Sequence, residues 1–277
     1  MISLGIDGGG TNLRFTVNKN GIVYSDRIKK GINITAADEN EIEKLVSEMY
    51  SLTGNTDFVT GSFSGAGSKE RKNIIFKILK KYYKNSEITV LNDAEGLIYS
   101  ALGNNDGTVV ICGTGSIVFG KKGKDTFRSG GWGHLFGDVC SGFWFSERAI
   151  QETLKYRDGI INYDILFDEV KKYFKVSEAD ELSDIQKRKD FKTHIASFSS
   201  VFFQTESKIT DGIIKEGLED IIPRCLKMSE ITESEKIYYH GGVFSSERFL
   251  SEFKKKLGKN IIKAPENIDY YMSLYKI

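Results

Sequence analysis

Cysteine and histidine are both scarce in this chain, with three of each. Cys112, Cys140 and Cys225 are odd in number and far apart. That excludes a disulfide framework and points to a reducing compartment. With His134, His194 and His240 they give no metal-ligand spacing. Net charge is also nearly absent. The 39 Lys and Arg against 38 Asp and Glu leave +1 at pH 7. No global field therefore draws the chain to nucleic acid or to an anionic membrane. The short clusters Lys80-Lys81 and Lys254-Lys255-Lys256 read as solvated helix faces. Long apolar runs are missing, since none approaches the roughly 20 residues that a bilayer span needs. The first residues enter a strand with no signal-peptide pattern. The expected location is cytoplasmic, and neither nucleic acid nor membrane is an expected partner. At 277 residues, 40% hydrophobic and 28% charged, the chain can bury one large core or two modest ones.

What is present begins with Leu4-Gly5-Ile6-Asp7-Gly8-Gly9-Gly10-Thr11-Asn12-Leu13-Arg14-Phe15. Apolar β-formers run into an acid and three glycines, then alternate again, which reads as a hairpin with a bare turn. Such a turn can be an ordinary tight one. It can also let backbone N–H groups converge on an anion, with Thr11 and Asn12 as side-chain donors. Asp7 then stands where a hydrated Mg²⁺ beside a phosphate wants a carboxylate. Val110-Ile111-Cys112-Gly113-Thr114-Gly115-Ser116-Ile117-Val118 repeats the idea. Two such hairpins suggest two related halves facing one polyphosphate.

Strand and helix alternate along the chain. A strand hairpin is expected within 4–17, then a turn at 18–21, strands near 22–28, 58–63 and 88–91, and helices over 41–52, 73–83 and 94–102. That is the pattern of a mixed sheet with helices on both faces. Gly103-Asn104-Asn105-Asp106-Gly107 is the best linker. Strands at 108–112, 116–121 and 125–128 follow. Helices are expected over 141–157, 164–174, 189–203 and 207–228. A strand at 236–240, a helix at 245–257, a strand at 260–263 and a last helix from about 266 complete the chain. The duplication is one of architecture and shows only faintly in the letters.

Asp93, in Leu91-Asn92-Asp93-Ala94-Glu95, lies where a buried strand breaks into a helix. It reads either as a helix cap or as a general base for a hydroxyl attacking phosphorus. Ser129-Gly130-Gly131-Trp132-Gly133-His134-Leu135-Phe136-Gly137-Asp138 is the second unusual stretch. It reads either as a structural loop anchored by Trp132 or as a sugar site, with an aromatic wall and Asp138 accepting from hydroxyls. His134 reads as structural. Gly115, Gly120 and Lys121 imitate a Walker A loop, but Lys122 replaces the required Ser or Thr. Gly113-Thr114-Gly115 lacks the third glycine and the helix of a dinucleotide turn.

Asp7-Gly8-Gly9-Gly10-Thr11, Asn92-Asp93-Ala94, Gly113-Thr114-Gly115-Ser116, Gly131-Trp132-Gly133-His134-Leu135-Phe136-Gly137-Asp138 and Gly241-Gly242-Val243-Phe244 occur in this order. Together they resemble the N-acetylglucosamine kinase branch of the sugar kinase, heat-shock chaperone and actin superfamily. That branch is grouped with the BadF/BadG/BcrA/BcrD-type ATPases. The resemblance spans residues 2 to about 250. It implies an α/β fold of two ribonuclease-H-like, actin-like domains, 1–105 and 106–277, with mixed sheets and ligands in an interdomain cleft. It leaves open whether the helix 266–277 packs back on the first domain. It implies ATP and Mg²⁺ as cofactors and a small sugar as substrate, and it is compatible with a homodimer. Gly9, Gly10, Thr11 and Asn12 would form one phosphate turn, and Thr114, Gly115 and Ser116 the other. Asp7 would orient Mg²⁺ through water, and Gly241 and Gly242 would approach adenosine. Asp93 would be the base. Asn33, Ser64, Asn92, Asp93, Gly131, Trp132 and Asp138 match sugar-contacting positions.

Two stretches depart from the family pattern. Gly-Asp-Glu-Gly-Ser is here Gly137-Asp138-Val139-Cys140-Ser141. The Gly-Ala-Ala opening of the last helix is replaced by Ala264-Pro265-Glu266-Asn267. The expected activity is transfer of phosphate from ATP to the primary hydroxyl of N-acetylglucosamine or a related amino sugar. The alternatives are a hexokinase or glucosamine kinase, an ATPase activator of a reductase that would need paired interface cysteines, and a non-catalytic sugar-sensing module.

Overall fold

The computed structural model describes residues 1–10, 12–31 and 38–274. The chain divides into two compact units, Met1–Asn105 with Ala264–Ile277, and Asp106–Lys263.

In the first unit, β1 (Ile2–Gly8), β2 (Leu13–Lys19), β3 (Ile22–Ile28), β4 (Phe58–Phe63) and β5 (Glu87–Asn92) form one sheet in the order β3-β2-β1-β4-β5. The first three strands form an antiparallel meander, and β4 and β5 run parallel to β1. Alternation decides the two faces. Leu4, Ile6, Leu13, Phe15, Val59 and Phe63 point into a core shared with helices α1 (Glu39–Thr53) and α2 (Lys69–Tyr82). α1 buries Ile42, Leu45, Val46 and Met49 at helical spacing and is capped by Asp38, which accepts from the Glu41 N–H. The opposite face is small and polar. There α3 (Asp93–Leu102) lays Gly96 against Ser62, so closely that a Cβ would not fit.

The second unit repeats the plan. β6 (Gly107–Cys112), β7 (Ser116–Lys122), β8 (Asp125–Gly130), β9 (Lys236–His240) and β10 (Asn260–Lys263) are ordered β10-β9-β6-β7-β8. β6 again centres the sheet, with a hairpin on one side and two parallel strands on the other. Between β8 and β9 run α4 (Gly142–Arg157), α5 (Ile165–Phe174), a 3₁₀ stretch (Ala179–Lys187), α6 (Phe191–Ser197), α7 (Ser199–Gln204) and α8 (Lys208–Ile231). α9 (Glu247–Leu257) precedes β10. Phe145, Phe167, Phe198, Phe202, Phe249 and Phe253 fill this core. Gly120 admits α8, since its Cβ would lie 2.9 Å from Met228 Cγ.

The single helix expected over 189–203 is two helices. At the break, the Phe198 N–H turns to Ile195 O, three residues back, at 3.1 Å. The Ser197 and Ser200 hydroxyls donate to the carbonyls of His194 and Ser197. Hydroxyls that compete for helical carbonyls interrupt the regular ladder.

The last helix, α10 (Ile268–Leu274), belongs to the first unit. It lies on the polar face of β1 and β2. Ser3 Oγ donates to Ser273 O at 2.5 Å, and Thr16 Oγ1 donates to Asp269 Oδ2 at 2.7 Å. Gly5 makes this approach possible, because a Cβ there would be 2.6 Å from Ser273 N.

Candidate active site

Pairing register places Gly8, Phe63 and Asn92 side by side at the carboxyl ends of β1, β4 and β5. After each of these strands the chain leaves the sheet at that edge, where open α/β sheets bind ligands. The edge therefore gathers Gly9, Gly10, Asn12, Ser64 and Asp93. Ser64 is tied down by its N–H to Gly8 O at 2.9 Å. Thr11 and Asn33 lie outside the described residues.

The first turn is closed by the Gly9 N–H donating to Asn12 O at 3.0 Å. Positive φ is not what demands its glycines, for neither Gly9 nor Gly10 has it. Nor does crowding within the fold. A Cβ on Gly9 would rest in ordinary contact at 3.5 Å, and one on Gly10 would meet nothing within 4 Å. The protein itself tolerates side chains there, and a ligand pressed against the turn would not.

Asp7 faces Arg14 across the hairpin. Arg14 Nε donates to Asp7 Oδ2 at 3.1 Å, and the guanidinium Nη2 reaches the same oxygen. Burial pushes the Asp7 carboxyl above its ordinary value, Arg14 pulls it down, and the charges of Asp269 and Asp93 push it up again. Asp7 thus feels Arg14 and two other carboxylates.

Asp93 is the first residue of α3, but it is not the cap. Asn92 is, with its Oδ1 accepting from the Glu95 N–H at 2.9 Å while Glu95 accepts from the Asn92 N–H at 2.8 Å. Asp93 is exposed and accepts from its neighbour Ala94 N–H at 3.0 Å. Of the two readings of Asp93, the capping one is removed. Asn92 spends its side-chain oxygen on that cap and keeps its amide NH₂ for other partners.

In the second unit, the Gly113 N–H donates to Gly115 O at 2.9 Å, so the β6–β7 turn closes much as the first does. Gly113 is likewise open, with nothing within 4 Å of a Cβ. Gly115 is not, because its Cβ would lie 2.8 Å from Asp138 Oδ2. Thr114 is exposed, and the Ser116 hydroxyl donates to Val139 O at 2.6 Å. Gly241, at φ 110, packs against Cys112 and Gly113, with its Cβ position 2.8 Å from Gly113 N. A Cβ on Gly242 meets nothing within 4 Å.

The 131–138 loop lies beside this turn. Gly131 has φ 70 and Gly133 φ 88, conformations that favour glycine. Asp138 is buried, at φ 56, and its Oδ1 accepts from the Gly133 N–H at 3.2 Å. Lys192 Nζ stands 4.0 Å from Oδ2. His134 packs edge-on against Phe143 and Phe191, the structural role expected of it. Trp132 is 62% exposed, with the Arg128 guanidinium 3.9 Å over one ring face. Only its other face is open to a ligand.

Arg14, Arg128 and Lys192 were not found by sequence reasoning. The Asp7–Arg14 pair could have been, since a hairpin turning at Gly9–Thr11 sets the two opposite. Lys192 carries no local signal, because a helix far along the chain delivers it.

The three cysteines, remote in sequence, converge in the second unit's core, where Cys140 shares a hydrogen bond with Cys112.

Two five-stranded mixed sheets of one topology, each with a bare turn beside its central strand, define an α/β fold of the kind seen in actin-like ATPases and sugar kinases. The BadF/BadG/BcrA/BcrD ATPase family model matches residues 4–274, and the chain belongs to that family. Over 281 residues it is 29% identical to an N-acetylmuramic acid/N-acetylglucosamine kinase of Clostridium acetobutylicum, covering 94% of this chain and 91% of that protein. It is 27% identical to an N-acetyl-D-glucosamine kinase of Dictyostelium discoideum, with the same coverage. A solved structure from Porphyromonas gingivalis, provisionally named an N-acetylglucosamine kinase, has the same fold. It is 22% identical with a TM-score of 0.74, covering 98% of this chain and 99% of that one.

Proposed function

We propose that the chain is an ATP-dependent kinase that phosphorylates the primary hydroxyl of N-acetylglucosamine or a related amino sugar in the cytoplasm. The curated relatives of that activity support this reading, and one observation carries it. Asp93 stands at the carboxyl edge of its sheet with the capping duty taken by Asn92. A freely placed carboxylate at that edge is what a general base requires.

In the first unit we assign Gly9, Gly10, Thr11 and Asn12 to phosphate. Asn33, Ser64, Asn92 and Asp93 are assigned to the sugar. In the second, Thr114, Gly115 and Ser116 take phosphate through their backbone, since the Ser116 hydroxyl is engaged. Gly241 and Gly242 take adenosine. Gly131, Asp138 and the open face of Trp132 take the sugar. Asp93 accepts the proton of the hydroxyl as that oxygen bonds to the γ-phosphorus and the bond to ADP breaks.

Asp7, whose carboxylate also feels the charges of Asp269 and Asp93, is the acid we assign to a divalent cation, with Arg14 engaging one of its oxygens. Among the described residues no group of three or more His, Cys, Asp or Glu is spaced to hold an ion by itself. Asp7 would hold a hydrated Mg²⁺, an ion that commonly keeps several of its waters. When bound, it neutralises charge on the phosphate oxygens.

An activator that shares a cluster needs cysteines at a surface, and Cys112, Cys140 and Cys225 are all buried. The test is a coupled assay of ADP release over a panel of hexoses and amino sugars. Release stimulated by an amino sugar is expected, and ATP turnover indifferent to every sugar would end the kinase reading.

A further inference from the structure

Asp138 Oδ2 has two neighbours that do not belong together. It lies 2.8 Å from the point a Cβ on Gly115 would occupy, so a carboxylate abuts the turn assigned to phosphate. A bare carboxylate there repels a polyphosphate, and burial makes the repulsion stronger than it would be in water. The cation within reach is Lys192, whose ammonium is 4.0 Å from the same oxygen. That is too long for a hydrogen bond. Lys192 is the second residue of α6, and the helix is fixed against the loop by Phe191 on the His134 ring. The ammonium is therefore delivered by an anchored element, keeps 39% side-chain exposure and leaves its three donors uncommitted by that contact.

We propose that Lys192 is a phosphate-binding residue: its ammonium bridges the Asp138 carboxylate and the phosphate oxygens held by the Gly113–Ser116 turn. The turn can then hold an anion beside a carboxylate that the sugar loop also uses. This assignment rests on the nucleotide reading of that turn.

The experiment is calorimetric titration of the full chain with Mg²⁺ and AMP-PNP, and separately with adenosine. Lys192→Met should weaken AMP-PNP by about tenfold to a hundredfold, the scale of one charge-assisted hydrogen bond. Adenosine, which has no phosphate, should bind as before. Lys192→Arg should restore AMP-PNP to within a few fold. The loss on Lys192→Met should persist in an Asp138→Asn background, because the contact to phosphate is direct. Wild-type AMP-PNP affinity in Lys192→Met overturns the proposal. So does a loss that vanishes with Asp138→Asn, which would make Lys192 a shield for that carboxylate alone. A change only in the KM for sugar also overturns it. Lys192 is half-exposed, and a thermal melt matching wild type shows that the variant is folded. AMP-PNP binding without phosphorylation of any sugar would remove the kinase reading and leave this proposal standing. Absence of AMP-PNP binding by the wild type would remove both.

Discussion

Asn92 and Glu95 cap α3 reciprocally, each accepting from the other's backbone N–H at 2.9 and 2.8 Å. The division of labour between adjacent residues is therefore testable. Asp93→Asn should leave the melting temperature unchanged and lower turnover by about a hundredfold or more, the usual scale for a lost general base. Asn92→Ala should cost about 1 kcal/mol of stability, the usual scale for a lost helix cap. Near-normal turnover in Asp93→Asn would remove the base from Asp93.

The glycines of the two turns divide by what surrounds them. Gly10 and Gly113 face open space. Gly10→Ala and Gly113→Ala should fold as wild type or slightly better, since alanine narrows the unfolded ensemble. Nucleotide affinity should fall by about tenfold or more, on the scale of a methyl forced into a filled site. Gly115→Ala should lose stability as well, because it displaces Asp138 Oδ2. Unchanged nucleotide affinity in both Gly10→Ala and Gly113→Ala would refute the paired turns.

Burial holds Asp7 above its ordinary value, and Arg14 restrains that rise. A carboxylate with a raised pKa is ionised only at higher pH. The acid limb of Mg²⁺-dependent activity should then lie above the usual aspartate range. Arg14→Ala removes a group that lowers the pKa, so the limb should move further up in pH. A pH–rate profile at fixed Mg²⁺ checks both the position and the direction. A limb that moves down in Arg14→Ala would contradict the electrostatic account.

Burial raises the thiols of Cys140 and Cys225 well above their ordinary value, and Cys112 is buried beside them. The thiolate is the reactive form. An aromatic disulfide reagent at neutral pH should label no cysteine in the native protein and all three after denaturation. Rapid native labelling would reopen a role for a surface cysteine.

Trp132 is exposed, whereas Trp144 packs edge-on against Phe145 at 5.0 Å. In a Trp144→Phe variant, N-acetylglucosamine should quench or shift the remaining fluorescence. A signal that saturates with sugar in the presence of Trp132 and is lost in Trp132→Phe is expected. A flat titration would take the loop out of the sugar site.

The hairpins could be read because they are local, whereas the order of the parallel strands beside them could not. Leu4, Ile6, Leu13 and Phe15 alternate, and the glycines between them mark the turn. The cysteine cluster could not, since Cys112, Cys140 and Cys225 meet through packing of a strand, a loop and α8. The helix break at Phe198 hid in a run of helical periodicity, because serine hydroxyls act on carbonyls and not on the apolar pattern. The sequence showed a cap at the start of α3 but offered only Asp93 for it, because which of two adjacent side chains caps a helix depends on backbone geometry that either could serve. Gly115 looked like its neighbours in the turn, and only the fold reveals Asp138 against it.

The sheet of the first unit begins with the second residue of the chain, yet α10 covers its polar face. Ser3, Gly5 and Thr16 wait for Asp269 and Ser273. During synthesis the first unit therefore emerges early and is completed late. The whole second unit, residues 106–263, lies between the two segments of the first, and until α10 is made the contacts of Ser3, Gly5 and Thr16 are missing although α3 already packs on that face at Ser62. A chain ending before residue 268 would therefore keep the strands of both sheets but leave Ser3, Gly5 and Thr16 without the helix they are shaped for.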